Sequence, residues 1–261
     1  MSSNTIDAWM QLSKPELAAR CVQFEDETTL LANARGQNEI HGMRFALASQ
    51  FCRGRGIEVG AGDRPFPLPS GAVAMYGDSR DHDALKDYFG SHVSSAQRYI
   101  DAETFDGVDA DSADFVISAH VIEHLFDPMG SIRAIHNVLK RGGHTIIAAP
   151  EMSQTFDRDR PVTTLSHVVR DLADGGAATR LQAFIEHVRF VHPLSQPAFA
   201  EDMIEIEARR IMDHGMDIHV HAWTRVAFEE MILAACTMFG LNLIASVSLW
   251  NENIVVLQKP A

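Results

Sequence analysis

Cysteine is scarce in this chain of 261 residues: Cys21, Cys52 and Cys236 stand far apart and form no C-x-x-C pair. An odd, dispersed set excludes a disulfide framework and the commonest thiolate zinc and redox motifs. Positive charge is also short. Lys and Arg number 22 against 35 Asp and Glu, a formal net charge of −13. That balance argues against a non-specific nucleic-acid binder, which needs a basic footprint, and against docking on an anionic membrane. No apolar run approaches the ~18 residues of a spanning helix. Met1 to Trp9 has neither the basic start nor the apolar stretch of a secretory signal. The expectation is a reduced, cytoplasmic globular protein. With 46% hydrophobic residues, the chain can build one large core or two smaller ones.

Helical signals come first. Ser13-Lys14-Pro15-Glu16 fits a capping box, with Leu17, Cys21 and Phe24 at helical spacing behind it. A second helical stretch runs from about Asn38 to Phe51. Together they predict an N-terminal helical cap over residues 1–52. From Gly56 the rhythm becomes strand and helix in alternation. Strands are expected at residues 56–60, 72–76, 98–100, 113–119 and 144–149, with helices at 81–89 and 129–139. This pattern implies a parallel sheet covered by helices on both faces, over residues 53–150. Residues 151–222 break the rhythm with Pro161, Pro193, Pro197, Gly175-Gly176 and helical pieces near 166–172 and 178–188. Residues 223–261 then give a helix capped by Thr224 and ended by Gly240. Two strands follow, joined so tightly by Asn251-Glu252-Asn253 that they must form an antiparallel hairpin. No internal repeat is present.

The glycine loop Glu58-Val59-Gly60-Ala61-Gly62 directly follows a strand, where glycine lets a ligand approach the backbone. A dinucleotide site would continue into a helix whose N-terminus holds the pyrophosphate. Here Pro65, Pro67 and Pro69 forbid that helix. About ten residues separate the loop from the next strand, fewer than the dozen or more of an ordinary parallel crossover. The first crossover helix is reduced, and NAD or FAD loses its main support.

A phosphate-free ligand remains, and here the sequence resembles the class I S-adenosylmethionine-dependent methyltransferases. Glu58, Gly60 and Gly62 match the family's first motif, although Arg64 stands where its third glycine usually falls. Tyr76-Gly77-Asp78-Ser79 matches the acidic position after strand two, Asp101-Ala102-Glu103 the segment after strand three, and Asp114 to His124 the fourth strand and its loop. Leu139-Lys140-Arg141-Gly142-Gly143 matches the turn before strand five. The resemblance implies a Rossmann-like fold: a mostly parallel seven-stranded sheet with an antiparallel C-terminal hairpin. It implies S-adenosylmethionine as cofactor, held by Glu58, Gly60, Ala61, Gly62, Asp78, Asp101, Ala102 and His120. Asp78 would take the ribose hydroxyls and Asp101 the adenine amino group. The proline-rich loop, His120-Val121-Ile122-Glu123-His124 and Thr155 to Thr163 further resemble a bacterial subgroup associated with surface-polysaccharide and other glycan biosynthesis.

Thirteen histidines remain to be weighed. His120 to His124 spells H-x-x-E-H, an inverted zincin motif. Its place after a buried strand points instead to a loop facing the cofactor, with Glu123 and His124 opening a helix. His219 and His221 alternate onto one face of an extended segment. With His214, Asp213 or Asp217 they could ligate a divalent metal, which is admitted but not favoured. Asp157, Asp159, Arg160 and His167 follow strand five, at the edge where open α/β sheets bind ligands. Trp9, Trp223 and Trp250 are expected in the core, Trp223 being the one placed to meet substrate. Met203 to Arg210 is expected as a solvated helix face.

Methyl transfer from a sulfonium needs positioning and exclusion of water more than covalent help. A hydroxyl acceptor also needs its proton removed, a task for a histidine. The expected function is O-methylation of a small-molecule or glycan acceptor bound by the 151–222 insertion, with His120, His167, His219 and His221 as candidate bases. Asp157, Arg160 and Trp223 are the candidate substrate contacts. N-methylation of a small amine, and a non-catalytic protein that binds the cofactor or its product, are the alternatives.

Overall fold

Alternation of apolar side chains builds this sheet and covers both of its faces. The computed structural model describes residues 34–90 and 98–261. The capping box at Ser13, the helical positions behind it and Trp9 lie outside the described residues. The chain divides into two compact units, residues 1–42 and 43–261. Residues 34–51 are helical (α1). The second unit holds one seven-stranded sheet in the order β3-β2-β1-β4-β5-β7-β6.

The parallel strands are β1 (Gly54–Val59), β2 (Ala72–Asp78), β3 (Arg98–Tyr99), β4 (Ala113–Ala119) and β5 (Leu139–Pro150). β6 (Asn242–Leu249) and β7 (Glu252–Gln258) form the expected hairpin, and β7 runs antiparallel to β5. On one face Phe115, Ile117, Ile146, Ala148, Ile254 and Val256 pack with Leu47, Ala48 and Cys52 of the N-terminal side. On the other face Val116, Ile147, Ala149, Val255 and Leu257 meet α3 (Pro128–Val138) and α7 (Arg225–Phe239) through Ile132, Ile135, Phe228 and Met231. Period-two strands against period-3.6 helices therefore give two apolar layers, one on each side of the sheet.

Between β1 and β2 no helix forms: residues 60–71 are turns and irregular chain. The proline argument holds. After β2, α2 (His82–Phe89) starts where the Asp81 side chain accepts from the Ala84 N–H at 2.8 Å.

Two expectations change. The helix α3 does not stop at a turn followed by a fresh strand. Instead β5 begins at Leu139 and runs through Gly142-Gly143. Lys259 explains this: Gly142 N donates to its carbonyl and its own N donates to the Gly143 carbonyl. The glycines become a kink within a paired strand. The insertion is also more ordered than expected. It contains α4 (Leu165–Asp174), α5 (Arg180–Glu186) and α6 (Glu201–Asp213). The stretch expected as a solvated face buries Ile204, Ala208 and Ile211 on its other side. Together with Phe184, Val188, Ile218 and Val220 they form a third apolar cluster. Among the described residues, no helix is long and apolar enough to cross a membrane.

Candidate active site

The C-terminal ends of β1, β2, β3 and β4 bring the glycine loop, Asp78, Asp101 and His120 to one edge of the sheet. Gly60 and Gly62 take φ of +67° and +53°, the left-handed region that favours glycine. A Cβ on Gly60 would stand 2.4 Å from Val121 Cγ2, so the loop after β1 and the loop after β4 touch at this point.

Glu58 is 1% exposed. Its Oε1 accepts from the Phe66 N–H at 2.8 Å, and its Oε2 is buried without a partner. Burial raises the carboxyl to about 7, although Phe66 and Arg44 pull the other way. Through Oε1, Glu58 thus holds the proline loop in place of the missing helix. Asp78 Oδ1 accepts from the Arg80 N–H, and Asp101 Oδ1 accepts from the Glu103 N–H, both at 2.8 Å. These turns fix each carboxylate at its strand end. Ala102 lends its carbonyl to Ser131 Oγ.

His120 sits at φ +55°, unusual for a residue with a side chain. Its N–H donates to the Ala148 carbonyl. The ring Nε2 lies 2.8 Å from Glu252 Oε1, and Nδ1 lies 3.4 Å from Glu123 Oε1. Arg44 reaches both oxygens of the same Glu252 carboxylate. Burial disfavours the imidazolium, but Glu123 and Glu252 more than offset it and raise the ring to about 9. Held between these two carboxylates, the ring favours its cationic form, which disfavours the base role expected of His120.

The insertion leaves and rejoins the core side by side. Met152 N donates to the Trp223 carbonyl and Thr163 N to the Ala222 carbonyl. Arg160 is buried between the two strands of this junction. Its guanidinium donates to Asp157 Oδ1 at 2.9 Å, to the carbonyls of His219 and Val220 at 2.7 and 3.0 Å, and to Glu186 at 3.2 Å. Asp157 and Arg160 are 1% and 4% exposed. Both were expected to bind substrate; both are committed to each other and to the backbone instead.

The second oxygen of Asp157 lies 2.6 Å from His219 Nδ1. Burial opposes the Asp157 charge, but His219 and Arg160 hold the carboxyl below the usual range. His219 lies edge-on to His124 at 4.8 Å and against Phe156 at 4.6 Å. His124 Nδ1 is itself 2.8 Å from Asp217, which also pairs with Arg80. Together His124 and Arg80 bring Asp217 down to about 2 against the effect of burial. Sequence reading missed this His124–Asp217–Arg80 link. Its members are 93 and 137 positions from Asp217, so no spacing betrays it.

The remaining candidates separate. His221 does not join His219; its ring is fully buried and stacks on Trp223 at 5.0 Å. Burial lowers it to about 3, and both ring nitrogens are sealed from solvent, Nε2 lying 3.8 Å from Asp171 Oδ2. This removes His221 as a base and Trp223, 1% exposed, as a substrate platform. His167 turns its Nε2 inward to Asp171, at 3.3 Å. His214 bonds the Arg210 carbonyl, and His219 and His221 fall into different side-chain groups, so the pair expected to ligate a metal with His214, Asp213 or Asp217 is not brought together. Trp250 is 43% exposed, outside the core.

Residues 82–147 match the family described as methyltransferase domain. That stretch contains Asp101, His120 and the strand between them. No curated protein sequence matches the chain. Among solved structures, the CurJ carbon methyltransferase is 16% identical over 80% of this chain, with TM-score 0.42, and the match spans 49% of its length. A putative methyltransferase of Bacillus halodurans is 12% identical over 85% of this chain and 99% of its own, with TM-score 0.47. A possible histamine N-methyltransferase of Thermotoga maritima is 11% identical over 87% and 96%, with TM-score 0.44. The family match covers residues 82–147, about a quarter of the chain, and makes that stretch similar to a methyltransferase domain. The residues gathered at this edge of the sheet suit S-adenosylmethionine as a ligand. An acceptor-only carboxylate after β2 fits a vicinal diol, and the glycine loop offers no helix N-terminus for a pyrophosphate.

Proposed function

We propose that the protein transfers the methyl group of S-adenosylmethionine to a hydroxyl of a small-molecule or glycan acceptor, in the cytoplasm. The cofactor supplies an electrophilic methyl and its own leaving group. The chain supplies the rest: Asp78 and Asp101 bind and orient, the loop from Gly60 to Gly62 admits the ligand to the backbone, and residues 151–222 receive the acceptor. Buried free thiols at Cys52 and Cys236 suit a reducing compartment.

The observation that carries the acceptor chemistry is the Asp157–His219 pair, 2.6 Å apart at the junction of insertion and core. With Nδ1 donating to a carboxylate, the neutral ring keeps Nε2 as an acceptor. That is the form a hydroxyl needs when its proton leaves as the new bond forms. His219 is thus the preferred base among the four histidines. His120 favours its cationic form, and His221 is sealed from solvent.

The test has two parts. S-adenosylhomocysteine is titrated calorimetrically into the protein and into Asp78→Asn, with NADH as control. Saturable binding to the first, weakened at least about tenfold in the second, is expected; equal binding of NADH would overturn the cofactor assignment. Acceptor pools are then screened for methylated products, with linkage established by mass analysis. Products methylated at nitrogen alone would replace the hydroxyl reading.

A further inference from the structure

A second polar cluster lies behind the His219 segment. His167 and Asp171 stand one turn apart on α4 and therefore project from one face. His221 meets them from the segment that leads into α7. His167 Nε2 is 3.3 Å from Asp171 Oδ2, and His221 Nε2 is 3.8 Å from the same oxygen. The three atoms all lie within 4.8 Å of one another.

Each of these three atoms is buried, and each lacks a hydrogen-bond partner. Even the 3.3 Å contact lacks the alignment of a hydrogen bond. An orphaned buried polar group is costly, and folded proteins rarely tolerate several together. Three lone-pair atoms converging on one point are satisfied at once by a cation between them.

We propose that His167, Asp171 and His221 bind one divalent transition-metal ion of the zinc class, through Nε2, Oδ2 and Nε2. Two imidazoles and one carboxylate suit zinc and its neighbours, whereas calcium and magnesium prefer oxygen alone. Tetrahedral bonds of about 2.0–2.2 Å place ligand atoms roughly 3.3 Å apart, so the two carboxylate–imidazole distances of 3.3 and 3.8 Å nearly fit, and the two imidazoles draw together by up to about 1.5 Å. The surroundings orient the ligands. Thr179 Oγ1 donates to Asp171 Oδ1, which leaves Oδ2 aimed at the gap, and Trp223 stacks on the His221 ring. The His167 side chain is a quarter exposed and gives the ion its route in.

The ion would brace α4 against residues 221–223, two positions from His219. This role is separate from methyl transfer and requires no acceptor.

The experiment uses chelator-stripped full-length protein and zinc alone as the probe. Calorimetry on the protein is expected to give one zinc per chain, and added zinc to raise the unfolding temperature. His167→Ala and Asp171→Asn should each weaken binding by at least about 100-fold. His124→Ala, in the neighbouring group of Glu123, His124 and His219, should leave it unchanged. Cobalt substitution gives a reading on the unaltered chain, which does not depend on any variant folding: a tetrahedral or five-coordinate visible spectrum is expected. Three results overturn the proposal: no saturable binding at about 100 μM zinc, binding that survives in Asp171→Asn, or binding abolished by His124→Ala.

Discussion

His219 Nδ1 stands 2.6 Å from Asp157 Oδ2, while Arg160 holds the other oxygen of the same carboxylate at 2.9 Å. One carboxylate thus orients a histidine and anchors an arginine. The arrangement separates the electrostatics of the pair from its mechanical support, and each can be tested alone.

Asp157→Asn keeps the shape of the side chain but offers His219 an amide N–H. The ring tautomer reverses and Nε2 carries the proton. Turnover with the identified hydroxyl acceptor should fall by about 10²–10⁴-fold with little change in KM. Unchanged kcat in the folded variant would mean that His219 is not the base.

Arg160→Lys retains charge but loses the fork that spans Asp157, Glu186 and two carbonyls. Urea unfolding should show a loss of about 3–5 kcal/mol, because a buried carboxylate loses its planar partner. A loss below about 1 kcal/mol would show that lysine and water can replace the fork.

Glu58 carries a folded-state carboxyl raised to about 7 from an ordinary 4.5. The folded protein therefore binds the extra proton, and Glu58 makes folding less favourable as pH rises from about 4.5 to about 7. Glu58→Gln should be more stable than the parent at pH 8, by about 1–3 kcal/mol, and the advantage should vanish below pH ~4. Paired urea curves at the two pH values decide it. A Gln variant less stable at both would mean that the charge is needed to hold the Phe66 N–H.

His120 behaves oppositely. Its folded-state value is about 9 against an ordinary 6.5, so its contribution is complete below about 6.5 and disappears as pH rises through about 9. Asparagine tolerates the left-handed backbone at this position. The stability gap between the parent and His120→Asn should be widest near pH 6 and closed by pH ~9.5. A gap that grows with pH would contradict a charged ring between Glu123 and Glu252.

Much of the sheet was legible because its strands alternate along most of their length, the irregularities at Ala113/Phe115 and Leu243/Ala245 apart. Phe115 and Ile117 face one layer and Val116 the other, and such periodicity survives without tertiary context. The prolines at 65, 67 and 69 were equally plain, because no fold restores their missing N–H groups. The Asp157–Arg160 turn misled for the opposite reason. A run of alternating charges at the ligand-binding edge reads as a set of substrate contacts, yet carbonyls 59 and 60 positions away bury its arginine. His219 and His221 share a face in extended chain, but their surroundings differ: one finds a carboxylate, the other the Trp223 ring. Local pattern cannot record which neighbours arrive from elsewhere in the chain.

β7 lies between β5 and β6 although it is made last of the three. During synthesis, residues 139–150 therefore present an open, apolar strand edge until residues 252–258 have left the ribosome. A nascent chain in that interval carries the glycine loop and most of the parallel sheet, yet its exposed edge invites pairing with another chain. Recombinant yield should depend on how quickly this gap is filled, and on any chaperone that shields it.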